Sequence, residues 1–240
     1  MSLKHRLKVA AKQFGLDVHR YNVVESAEAR VFALLRTHGI DTVIDVGAND
    51  GGYGRWLRQG GYEGAIFSFE PLEDAHGRLV AAASDDARWH VHPRAALGGE
   101  DGTAKINVAA NSASSSLLPM HQTHEVAAPE SRYIAAQEVP VRRLDGVRHE
   151  ALDKAGRTLL KIDTQGYEMP VLHGAEQLLP RICGVQLELS LTPLYEGQAL
   201  FMEVVEWLQK RGFDLWNVIP GFVDPKTARM LQFDGVFFRP

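Results

Sequence analysis

The chain has 240 residues, 45% of them hydrophobic and 23% charged, and 26 Lys and Arg against 30 Asp and Glu give a net charge of −4. That length can bury a substantial core, and the charge balance offers no basic block to neutralise a run of phosphates, so no nucleic-acid partner is expected. A single cysteine, Cys183, excludes an internal disulfide and a thiolate metal cluster and makes a cytoplasmic location the expectation.

Residues 1–20, MSLKHRLKVAAKQFGLDVHR, are basic and mildly amphipathic, with Leu3, Leu7, Ala10, Ala11 and Phe14 sharing a helical face. They lack the continuous apolar run of a signal peptide, and no segment reaches transmembrane length. A helix packed on the domain is expected here, with a membrane-surface helix as the alternative. Residues 1–40 are read as a helical extension and 41–240 as the main domain.

Beyond residue 40, short β-branched or apolar runs alternate with helical patterns. Strands are predicted at 42–46, 65–69, 89–92, 158–163, 184–189, 213–218 and 233–238, and helices from about Tyr53 and over 72–83, 168–179 and 198–211. Continuous apolar strands separated by helical crossovers describe a mainly parallel sheet with helices on both faces. The last two runs lack a crossover helix between them, so they are expected to pair antiparallel. Residues 103–109 and 138–143 read as an inserted β-hairpin flanking the polar stretch Asn111-Ser-Ala-Ser-Ser-Ser116. An insertion that long in a compact domain is more often functional than idle.

The run Thr42-Val43-Ile44 leads into DVGANDGGYG, residues 45–54, with four glycines that miss the G-x-G-x-x-G spacing of dinucleotide folds. Written from Asp45 the pattern is D-x-G-x-N-x-G-G, which fits the methyltransferase loop [DE]-x-G-x-G-x-G with Asn49 at the central glycine. Asparagine tolerates left-handed backbone better than most residues, so the exchange is mild. Gly47, Asn49 and Gly51 are therefore candidates for lining a cofactor loop, and Asp45 for meeting a ligand ammonium directly or through water. The next strand ends Phe67-Ser-Phe-Glu-Pro71, where Glu70 can accept both hydroxyls of a ribose and Pro71 fixes the turn.

With these residues in view, the chain resembles the FkbM family of S-adenosylmethionine-dependent methyltransferases. The resemblance rests on Val43-Ile-Asp-Val-Gly-Ala-Asn-Asp-Gly51, Phe69-Glu-Pro-Leu72, Asn111 with Ser114-Ser-Ser-Leu117, Leu159-Leu-Lys-Ile-Asp-Thr-Gln-Gly-Tyr-Glu168, Val171-Leu-His-Gly-Ala175 and Gln186-Leu-Glu188. It implies the class I, Rossmann-like fold: a seven-stranded, mainly parallel sheet with an antiparallel C-terminal strand. It also implies S-adenosyl-L-methionine as cofactor and methyl transfer to a hydroxyl of a sugar, glycolipid or polyketide-type natural product.

Asp45, Glu70, Asp163 and Glu188 all fall at or near strand ends, where open α/β sheets bind ligands. Asp163 is the leading general base or substrate-orienting carboxylate, with the alternative of a cap for the helix near Glu168. Lys161, two residues earlier, shares its strand face if the strand is regular and can then pair with it, with a strand-end charge facing away as the alternative. His173 is the rival base. Ser114, Ser115, Gln165, Tyr167 and Glu188 are candidates for the acceptor pocket, the serines having a flexible polar turn as their alternative. His121 and His124 read as solvated loop residues, and His90 with His92 lacks the carboxylate that would complete a metal site. A divalent cation on Asp163, Glu168 and Glu188 is conceivable but not favoured. Other functions compatible with the loop are an NAD-dependent oxidoreductase and a non-catalytic S-adenosylmethionine-binding protein.

Overall fold

The computed structural model describes residues 3–240, apart from the side chains of residues 3, 4, 6, 150 and 151. The expected face of α1 (Leu3–Gln13) thus includes one residue, Leu3, whose side chain lies outside the description. The helix α2 (Ala27–Thr37) follows, capped by Ser26, whose Oγ accepts from the Ala29 amide at 3.2 Å. Then come β1 (Thr42–Val46), α3 (Gly52–Gln59), β2 (Ala65–Phe69), α4 (Glu73–Ala83) and β3 (Trp89–Val91). The insertion comprises β4 (Ala96–Leu97), β5 (Gly102–Ala109), α5 (Gln122–Ala127) and β6 (Tyr133–Arg142). After it run α6 (Glu150–Asp153), β7 (Thr158–Ile162), α7 (Glu168–Gly174), β8 (Ile182–Ser190), α8 (Phe201–Gln209), β9 (Asp214–Pro220) and β10 (Gln232–Phe238).

Seven strands form one sheet in the order β3-β2-β1-β7-β8-β10-β9, parallel except for β10, which runs antiparallel to both neighbours. This is the class I methyltransferase order, so the fold expected from the resemblance is the one found. β1 and β7 are buried along their whole length. Their alternate side chains feed two cores. Ile44, Val46, Leu160 and Ile162 pack toward α7 and α8, whereas Val43 and Leu159 pack toward α2, α3 and α4. Each buried Val, Leu or Ile contributes about 1.5–3 kcal/mol, so these strands are held chiefly by apolar burial on both faces.

One row on the α2–α3 face breaks that rule. Parallel register sets Ser68 beside Asp45, Asp45 beside Lys161 and Lys161 beside Gln186. Polar side chains thus run across four central strands just below the ends where the chain reverses.

The insertion is more elaborate than a hairpin. β5 and β6 pair antiparallel, β6 starts at Tyr133 rather than at 138, and the two-residue β4 adds to it in parallel. Ile106, Val139 and Val141 pack this small sheet onto Leu72 and Ala75 beside the main sheet. The predicted helix 168–179 also stops early, at Gly174, where a Cβ would run into the carbonyl oxygen of Gly98. α1 differs from expectation too. Among its described side chains none is buried, whereas α2 puts Val31, Phe32 and Leu35 into the core.

Candidate active site

β1 hands the chain to β2 and β3 on one side, while β7 lies on its other side, so the sheet's switch in direction falls between β1 and β7. Ligands of open α/β sheets bind beyond the strand ends at such a point. Here the two departing loops touch. Gly47 has φ +76°, the Asp163 amide donates to the Val46 carbonyl at 3.0 Å, and a Cβ on Gly47 would collide with the Asp163 carbonyl oxygen. No residue but glycine fits there.

Asn49 takes the left-handed conformation that its sequence position demanded, with φ +48°. Its amide donates to Glu70 Oε2 and the Leu72 amide to Glu70 Oε1, each at 2.8 Å. Glu70 is therefore locked in place by backbone donors, while burial pushes its carboxyl up to about 7 against the pull of those amides. Above it opens a cleft lined by Gly47, Asn49, Glu70 and Pro71, the apolar Phe69, Leu72, Leu97, Ile106 and Leu117, and Ser115, Asp163, Gln165 and Tyr167. A carboxylate with both oxygens fixed and lone pairs to spare, set among apolar walls, suits a ribose diol carrying a flat purine. The residues present thus fit S-adenosylmethionine.

Lys161 and Asp163 pair as their spacing suggested, at 3.6 Å, but Lys161 lies closer to Asp45, at 3.1 Å. Its ammonium also sits 5.1 Å from the centre of the Tyr53 ring. Burial alone would lower the Lys161 pKa; the carboxylates of Asp45 and Asp163 outweigh it and hold the ammonium charged. Asp45 is fully buried, and burial raises its carboxyl against the pull of Lys161. It faces the ion pair and lies outside the cleft lining, where it secures Lys161. Gly51 likewise stands behind the loop, at φ +86°, where it starts α3 against Leu79 and Trp89.

Asp163 remains partly open to the cleft, its side chain 42% exposed. The Gln165 amide nitrogen donates to Asp163 Oδ1 and to Glu188 Oε2, both at 2.9 Å, and Gln232 donates to the same Glu188 oxygen at 2.7 Å. Burial drives the Glu188 carboxyl well above the usual range, and the charges of Asp163, Glu168 and Asp234 add to it. Glu188 thus stands behind Gln165, outside the cleft lining. Ser115 reaches the cleft, whereas Ser114 is buried on Asn111 and Ser131. The serine turn covers the site: Ser112 Oγ donates to Asn49 Oδ1 at 3.3 Å and Ser116 Oγ to the Gln165 carbonyl at 2.6 Å.

His173 is not part of this arrangement. It is exposed on α7, edge-on to Trp207 and away from the cleft, so the rival base is withdrawn. His124 is also not the solvated residue expected: it is buried edge-on against Tyr195. Asp163 does not cap α7 either. Glu168 holds that turn, its Oε1 accepting from the Thr164 and Gly166 amides at 3.0 and 3.1 Å and from Thr164 Oγ1 at 3.2 Å. Burial raises its carboxyl to about 7. Among the described residues no three His, Cys, Asp or Glu side chains are grouped to hold a metal ion.

Sequence reasoning overlooked Tyr195. It is fully buried, and its hydroxyl donates to Gln165 Oε1 at 2.8 Å, which turns the Gln165 amide nitrogen toward the two carboxylates. The segment Leu191–Tyr195 has no periodicity that would have exposed this.

Residues 45–215 match the model of the methyltransferase FkbM domain, well over half of the chain. The chain belongs to the FkbM methyltransferase family. This FkbM protein is thus an S-adenosylmethionine-dependent methyltransferase. A search of proteins with curated functions finds no match. Among solved structures it is similar to the methyltransferase domain of bacterial CtHen1 (12% identity, 88% of this chain and 96% of that one, TM-score 0.47). It is similar also to a putative RNA methyltransferase from Pyrococcus horikoshii (12% identity, 100% and 99%, TM-score 0.45). A third is magnesium protoporphyrin IX methyltransferase from Synechocystis PCC 6803 with bound S-adenosylmethionine (11% identity, 89% and 78%, TM-score 0.43).

Proposed function

We propose that this FkbM protein is an O-methyltransferase acting on a hydroxyl of a sugar, glycolipid or polyketide-type natural product, with Asp163 as general base. The observation that carries the reading is Asp163 itself: an accessible carboxylate at the cleft floor, fixed by Lys161 and Gln165 and one loop away from Glu70.

When bound, S-adenosylmethionine supplies a methyl group on a positively charged sulfur, open to in-line displacement. Glu70 holds the ribose, and the backbone around Gly47 and Asn49 passes close beneath the donor. An alcohol attacks poorly until its proton leaves, so a base must meet the hydroxyl as it approaches. One oxygen of Asp163 accepts from Gln165 and the other faces Lys161, which keeps the carboxylate from rotating away. Ser115, Gln165 and Tyr167 line the wall beside it and offer hydrogen bonds to a polyhydroxylated acceptor.

A methyl-transfer assay over hydroxylated sugars, glycolipids and macrolides, with product linkage read by mass spectrometry, tests the proposal. Asp163→Asn is expected to lower kcat at least about 100-fold, the usual contribution of a positioned base, with donor affinity within about twofold. Transfer to nitrogen or carbon, or loss of donor binding in Asp163→Asn, would overturn it.

A further inference from the structure

The basic residues of this acidic protein are unevenly placed. Residues 1–24 hold five Lys and Arg (Lys4, Arg6, Lys8, Lys12, Arg20) against Asp17 alone, a net +4, which leaves 21 against 29, a net −8, for the remainder. The same segment exposes large apolar side chains: Leu7, Phe14, Leu16 and Val18 are each more than half exposed, Phe14 at 81%. At 3.6 residues per turn, Leu7, Ala10 and Ala11 fall within about 100° of arc on α1, Phe14 follows one residue past its end, and Lys8 and Lys12 lie on one flank. The 11-residue helix has no acidic residue.

Cations bordering an apolar stripe match an anionic lipid surface, where headgroups meet the cations and the upper acyl region takes the stripe. A nucleic acid would engage the cations yet leave Phe14, Leu7 and Leu16 in water. No helix of the described chain is long and apolar enough to cross a membrane, so α1 would lie on the surface rather than span it. We propose that α1 is an interfacial helix that docks this protein on an anionic lipid bilayer.

α1 is tethered near the start of α2, whose Ala27 carbonyl accepts from Asn217 of β9 at 3.1 Å. Glu28 there accepts from Trp56 Nε1 at 2.7 Å, and Lys8 lies 3.3 Å from Glu25, which keeps α1 beside the start of α2. The docking does not rest on the O-methyl reading.

The test is co-sedimentation of the full chain with phosphatidylcholine vesicles, with and without about one third phosphatidylglycerol. Sedimentation with the anionic vesicles only, reversed in about 1 M NaCl, is expected. Leu7→Ser/Phe14→Ser and, separately, Lys12→Glu should each lower partitioning, the first by at least about tenfold. Both should keep the melting temperature and the calorimetric affinity for S-adenosylmethionine, which reads the site independently of the docking. Three results would overturn the proposal: no sedimentation with anionic vesicles, equal partitioning of the apolar variant, or a dimer by analytical ultracentrifugation that this variant dissociates. Retention by single-stranded RNA in place of vesicles would overturn it as well.

Discussion

At the scale of single residues, the site is governed by how far each charge is removed from water. Glu70 is the simplest case. Its carboxyl is held near 7 by burial in the free protein, while a ribose diol donates much more strongly to the ionised form. Donor binding must therefore strengthen as pH rises through 7 and level off above it, with affinity about tenfold below the plateau at pH 6. Calorimetric titrations from pH 5.5 to 8.5 should trace that curve, and Glu70→Gln should bind weakly with no such slope. A flat wild-type profile would mean that Glu70 is already ionised in the free protein. Lys161 is governed by the opposite balance. Replacing it with Met leaves Asp45 buried without a counter-charge, a loss of about 3–5 kcal/mol by urea unfolding. Adding Asp45→Asn should recover much of it, because the unpaired charge is then gone; two independent, additive losses would contradict the pairing.

At the scale of elements, the loop from β7 to α7 is a part whose stability depends on protonation. Glu168 organises it through the Thr164 and Gly166 donors, with its carboxyl raised to about 7 from an ordinary 4.5. The folded protein thus keeps this proton to a higher pH than the unfolded chain. Stability from this group is complete below pH 4.5 and declines until pH 7, by about 3 kcal/mol. Glu168→Gln keeps an acceptor oxygen and removes the titration, so its unfolding free energy should fall less than wild type's between pH 5 and 8. Parallel pH profiles would place the slope elsewhere. The strands bordering this loop were legible because β-branched runs end in Asp, Gly or Pro, and period-two alternation placed Lys161 and Asp163 on one face. What stayed hidden was relational. The Asp45–Lys161 pair depends on the register of strands far apart in the chain, and β4 is too short to carry a pattern. Tyr195 arrives from a segment without periodicity. His173 was misplaced because a helix face was inferred without knowing which side α7 turns to the sheet.

At the scale of the whole molecule, the two cores decide where the folding unit begins. Phe32 of α2 is buried, its ring 4.5 Å from that of Trp56 on α3, and Arg30 donates to Asn217 of β9 at 2.7 Å. α2 is thereby tied to both the start and the end of the sheet. No described side chain of α1 is buried, and the Lys8–Glu25 pair that ties it to the start of α2 is partly exposed, a type of contact worth less than about 1 kcal/mol. Deleting residues 1–19 should therefore shift the melting temperature by less than about 3 °C and leave S-adenosylmethionine affinity intact. Phe32→Ala should cost about 3–5 kcal/mol, since the cavity it opens lies between α2, α3 and the sheet. If the deletion destabilises as much as Phe32→Ala, α1 belongs to the folding unit, and its exposed apolar face would then be an unfinished core surface rather than one free to meet another phase. If the two effects separate as expected, selection for stability cannot account for Leu7 and Phe14, and their position has to be explained by what α1 touches outside the domain.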